Sequence, residues 1–160
     1  MLFDLEIMNA EIVTSTNRFH GSISIKNEKI AAICEKPLKK AKQYIDADGL
    51  TLVPGMVDQH VHFMDPGETE REDFTGGVTT VVEHTHAFPV RDVKTFDEKM
   101  NHLQNRSYVD FGLTAHAFPE DLGNLQALWE KGIMMFKIFT CNTHGIPTMN
   151  NDQLYRAFEE

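Results

Sequence analysis

Six of the eight histidines, together with a glutamate and a lysine, fall in four short stretches of a 160-residue chain. Residues 56–66, MVDQHVHFMDP, set His60 and His62 one residue apart within an apolar run. Residues two apart in a strand share a face, so the two imidazoles should project side by side. Such a pair is either two ligands of one metal ion or two hydrogen-bonded core histidines. Further on, GVTTVVEHTH ends in Glu83, His84 and His86, VDFGLTAH ends in His116, and IMMFKIFT carries Lys137 shortly before His144. Lys137 is flanked by Met134, Met135, Phe136, Ile138 and Phe139. An ammonium there is either buried at a cost or a strand-end lysine reaching out to water.

The elements that must hold these groups follow from periodicity. Residues 56–63, 77–84, 109–116 and 133–140 are mostly apolar, as parallel strands buried on both faces should be. Between the second and third, Val93, Phe96, Met100 and Leu103 recur at helical spacing. Between the third and fourth, Leu122, Leu125, Leu128 and Trp129 form one apolar face, with Gly132 as the C-cap. NNDQLYRAFEE opens another helix on Asn150 or Asn151. Alternating strands and helices give an α/β fold, either an open doubly wound sheet or a (β/α) barrel. In both, chemistry gathers at the carboxyl ends of the strands, which is where the histidines and Lys137 fall. That clustering favours the metal reading of His60 and His62.

Residues 1–54 read differently. FDLEIM, EIVTS, SISIK, KIAAIC and TLVP are short strand-like runs separated by NRFHG, NE and DADG, which predicts a small β-sandwich or sheet. The basic run KPLKKAK reads as a solvated loop. A hydrophobic fraction of 41% and a charged fraction of 24% are those of an ordinary globular protein. A net charge of −9 argues against nucleic acid or an anionic membrane as partner. No apolar stretch approaches the roughly 18 residues of a membrane span, and the N-terminus lacks a signal-peptide pattern, so a cytoplasmic location is expected. Cys34 and Cys141 are expected as reduced thiols.

VPGMVDQHVHFMDPGETEREDF, GGVTTVVEHTHAFP and MMFKIFT resemble the N-terminal half of the cyclic amidohydrolases, the dihydroorotase, allantoinase, hydantoinase and dihydropyrimidinase group of the amidohydrolase superfamily. DLEIMNAEIVT, SISIKNEKIAAIC and IDADGLTLVPG resemble the sandwich strands that precede the barrel there. The resemblance implies a β-sandwich segment over 1–54 and the first four or so strands of a TIM-like (β/α) barrel over 55–160. It implies that His60 and His62 bind one of two divalent ions, commonly zinc, and that Lys137 is carboxylated by carbon dioxide to a carbamate bridging both. Carbamylation would turn an unwelcome buried cation into an anion facing two cations. The implied reaction is hydrolytic ring opening of a small cyclic amide.

Three features depart from the family pattern. The two further histidines and the aspartate that complete the metal site in relatives come from later strands, so these 160 residues are expected to be inactive alone, with an open strand edge prone to pairing. The connection from Met64 to Gly77 joins directly what relatives separate by a helix. Where dihydroorotase-like relatives grip a carboxylate with arginine and asparagine, this chain has Met64 and His86, which favours a less charged substrate such as a hydantoin, an allantoin-like ureide or a dihydropyrimidine. The rival function is a non-catalytic, dihydropyrimidinase-like scaffold on the same fold; retention of His60, His62 and Lys137 favours the enzyme. Relatives imply a homo-oligomer.

Overall fold

The structure, a computed structural model, describes residues 2–62, 76–84, 86–142 and 145–160. The chain forms two compact units, Met1–Pro54 and Gly55–Glu160. The first is one five-stranded mixed sheet rather than two facing layers, built from β1 (Phe3–Val13), β2 (Arg18–Lys26), β3 (Lys29–Cys34), β4 (Ala41–Asp46) and β5 (Thr51–Leu52). Its order is β3-β2-β1-β4, with β5 also on β1.

Two runs expected as separate strands, FDLEIM and EIVTS, are one strand broken by a bulge between Ile7 and Ala10. Asn9 supplies the irregularity at φ 60, a left-handed conformation that asparagine tolerates, and its amide donates to Asp46 at 2.8 Å. The expected turn NRFHG is the start of β2. The sequence reading also missed β4, whose AKQYID buries Ala41 alone. An edge strand wet on both faces carries no alternation to read. Ala10, Ile12, Ile23 and Ala47 form this unit's core. Within the sheet, Glu6 is fully buried and accepts the backbone N–H groups of Leu38 and Lys39 at 2.6 and 2.8 Å. That clasp ties down the KPLKKAK loop.

The second unit is an α/β layer. β6 (Met56–Val61), β7 (Val78–Glu83), β8 (Asp110–His116) and β9 (Met135–Lys137) form a parallel sheet in the order β6-β7-β8-β9. α1 (Val93–Gln104) joins β7 to β8, and α2 (Leu125–Lys131) joins β8 to β9 after a short 3₁₀ turn at Leu122–Asn124. α3 (Asn151–Glu159) follows β9 and is capped by Asn150, whose side chain accepts from the Gln153 N–H. Val81, Leu113 and Ala115 pack against Phe96, Leu103 and Leu128 to form the core. Gly132 ends α2 at φ 96, a conformation that costs any residue with a Cβ. Gly112 lets β8 approach the next element, since an added Cβ would lie 2.3 Å from the Met134 side chain.

Two expectations fail in this unit. β6 is exposed along most of its length, with Met56 at 54% and Val57 at 59%, because it lies at the sheet edge. Trp129, assigned to the apolar face of α2, is 62% exposed, while its neighbour Leu128 is fully buried. No helix among the described residues is long and apolar enough to cross a membrane. Both cysteines are free.

Candidate metal centre

The carboxyl ends of all four parallel strands meet in a cluster of nitrogen donors. His60 is the penultimate residue of β6 and His62 lies just past its end, yet their Nε2 atoms converge to 3.1 Å with the rings nearly parallel. Tetrahedral zinc with bonds of about 2.0–2.1 Å sets two imidazole nitrogens about 3.3 Å apart, so the observed spacing suits two ligands of one ion. The Lys137 Nζ lies 3.3 Å from His60 Nε2 and 3.5 Å from His86 Nε2. Lys137 therefore points into the cluster. It is half-buried among imidazoles, with the Phe139 ring 5.2 Å away, rather than enclosed in apolar strand.

Two further histidines, His84 and His116, pack against this cluster. His84 stacks on His60 with ring centroids 4.1 Å apart. Its Nε2 lies 2.8 Å from the Gln59 carbonyl and 3.0 Å from Thr114 Oγ1. A carbonyl only accepts, which assigns the proton to Nε2 and leaves the buried Nδ1 with no partner among the described residues. His116 is almost fully buried, and its Nε2 lies 3.4 Å from His86 Nδ1. Burial first, and then the positive charge that His86 and Lys137 can carry, pushes the His116 imidazole down to about 3. Burial, followed by His60, lowers His84 to about 4. His60 is also shifted down, by burial and then by Lys137 and His62. Each shift favours neutral imidazole, the form that binds metal.

Among the described residues, no three His, Cys, Asp or Glu side chains gather where they could hold a metal ion. The third group beside His60 and His62 is an amine, which as an ammonium has no lone pair to give. The donors present fit a divalent ion as a pair, and as a triad only once Lys137 is neutral or carries a carboxyl group. Met64, His144 and most of the connection from Met64 to Gly77 lie outside the described residues.

The sequence reading overlooked the partner of Glu83. Both Glu83, the last residue of β7, and Lys99, on α1, have fully buried side chains, and they form an ion pair. The signal was available: Lys99 lies on the same helical stripe as Phe96, Met100 and Leu103, where a charge is out of place. Arg91 is a second clasp at this end of the sheet, donating to Asp121 at 2.5 Å and Glu120 at 2.8 Å and lying 4.6 Å from the Phe118 ring centre.

No family model matches the chain. An allantoinase of Salmonella choleraesuis strain SC-B67 is 32% identical over 176 aligned positions, covering 100% of this chain and 39% of the relative. Over its whole length the chain is similar to the N-terminal part of a cyclic amidohydrolase. A second allantoinase, from Desulfitobacterium hafniense, is 33% identical over 151 positions, covering 88% of the chain and 34% of the relative. In three dimensions the chain matches an L-hydantoinase (dihydropyrimidinase) from Arthrobacter aurescens with a TM-score of 0.89 and 27% identity, over 98% of this chain and 38% of that one. The chain thus spans less than two fifths of the length of these cyclic amidohydrolases. The first alignment is longer than the 160-residue chain, so that relative carries positions absent here.

Proposed function

We propose that this chain supplies the first half of the metal site of an enzyme that opens a cyclic amide by hydrolysis, on a barrel of which β6 to β9 are the opening strands. The observation that carries this reading is that His60 Nε2 lies 3.1 Å from His62 Nε2 and 3.3 Å from Lys137 Nζ at the strand ends. Kinship with allantoinases and likeness to a hydantoinase support it. His60 and His62 would hold one divalent ion, zinc being the one best suited to paired imidazoles, and Lys137 would join them as a carbamate shared with a second ion. When bound, such ions lower the pKa of water and polarise a carbonyl. The chain's own contribution is to keep the imidazoles neutral and aligned: His84 braces His60 through its ring stack and is itself held by Gln59 and Thr114.

The favoured substrate is uncharged, such as a hydantoin, an allantoin-like ureide or a dihydropyrimidine, because Met64 offers no partner to a carboxylate. Three donors do not complete a two-ion centre. We therefore propose that the 160 residues alone bind metal without turning substrate over.

Zinc titration of the chain, with ¹³C-labelled bicarbonate present, tests the site. A carbamate carbon signal is expected that disappears in Lys137→Met, and zinc affinity should fall at least roughly tenfold in His60→Ala and His62→Ala. Zinc binding indifferent to both histidines would end the proposal. Ring opening of hydantoin by these residues alone would overturn the expectation of inactivity.

A further inference from the structure

Lys99 is fully buried on α1, and its Nζ does two things. It pairs with the carboxylate of Glu83 at the end of β7, and it donates to the backbone carbonyl of Phe88 at 2.9 Å. These two anchors bracket the turn that follows β7, and His84 and His86 lie between them. Both histidines touch the donor cluster, His84 through the stack on His60 and His86 through Lys137 and His116.

A buried ion pair is a poor choice for stability, since apolar side chains of similar volume hold a core as well or better. What it offers is direction. Ammonium donors bind a carboxylate and a carbonyl at defined angles, whereas a leucine and a methionine would leave the turn free to repack. Phe88 adds its ring, 6.0 Å from the same ammonium.

We infer that Glu83 and Lys99 are positioning residues, which fix the turn after β7 so that His84 and His86 are aimed at His60 and Lys137. The inference about imidazole orientation stands on the geometry alone. Its consequence for metal affinity rests on the proposed site.

The test is the double variant Glu83→Leu/Lys99→Met in the 160-residue chain, which removes the pair without leaving a buried charge unmatched. Circular dichroism should show a fold that melts no lower than the parent. Long-range ¹H–¹⁵N spectra of the imidazoles should then show the His84 and His86 ring signals shifted or broadened, with His20, on the other unit, unmoved. Zinc affinity should weaken roughly 10- to 100-fold, the usual consequence of losing an outer-layer support. Unchanged His84 and His86 signals in a folded double variant would overturn the inference. Should the double variant fail to fold, the same spectra of Glu83→Gln decide, because the glutamine keeps the volume while replacing the charged pair by a weaker, neutral contact: shifted His84 and His86 signals support the inference and unshifted ones overturn it. A parent chain that binds no zinc, with imidazole signals that still respond, would remove the metal site and leave the positioning role standing.

Discussion

Leu128 and Trp129 are adjacent on α2 and have opposite surroundings. Successive residues on a helix are about 100° apart, so a narrow helix-to-sheet contact can take one and leave the next in water. Leu128 packs into the core beside Phe96, Leu103 and Ile133, whereas Trp129 is largely exposed. Leu128→Ala should cost about 2–5 kcal/mol in urea unfolding, from lost transfer energy and the cavity left behind. Trp129→Ser should fall within about 0.5 kcal/mol of the parent. Equal losses would mean the face of α2 is wrongly assigned. The same scale governs what could be read at the candidate site. The shared side of His60 and His62 follows from a period of two, and Lys137 stands out as a charge in an apolar run. The Glu83–Lys99 pair escaped because its members are sixteen positions apart on different element types, so neither motif nor spacing connects them.

At the scale of elements, α1 is the best-specified piece. Asp92 accepts the Thr95 N–H at 2.8 Å, and the Thr95 hydroxyl accepts the Asp92 N–H at 3.0 Å, a reciprocal box that satisfies donors the helix leaves open. Asp92→Ala should cost about 1 kcal/mol at neutral pH. The bond from the Thr95 backbone, and then that from its hydroxyl, holds the Asp92 carboxyl below the usual carboxylate range. A carboxyl whose folded pKa lies below its unfolded one stabilises fully above the unfolded value of about 4 and loses that stabilisation as pH falls through the folded value. The gap between parent and variant in thermal melts should therefore be widest at neutral pH and shrink in acid; a gap that grew on acidification would contradict the cap. Elements with a buried stripe, such as β7, β8 and α1, are legible because burial imposes a period. β4 is not, since five of its six residues face water, and its position is set by backbone pairing to β1 from Phe3↔Ala41 to Met8↔Asp46. Pairing of that kind leaves no trace in side-chain pattern.

At the scale of the whole molecule, the parallel sheet presents β6 as an outer strand whose far side carries no partner among the described residues. Met56 and Val57 are both more than half exposed, on a strand with no lysine or proline and with Asp58 as its one formal charge, which accepts the His60 N–H at 2.9 Å. Proteins usually blunt such an edge with a charge, a bulge or a covering element, because its free N–H and C=O groups template another strand. The register irregularities of β6 against β7 lie on its paired side. A second copy of the chain, offering the same edge, can satisfy those groups and cover the two apolar side chains in a two-fold arrangement. Sedimentation velocity of the 160-residue chain should therefore show mass rising with concentration. Val57→Lys, which places a charge on the edge and leaves the core packed around Val81 untouched, should restore the monomer without lowering the melting temperature. A chain that stays monomeric across the concentration range, or association indifferent to Val57→Lys, would show that this edge is not what the copies share.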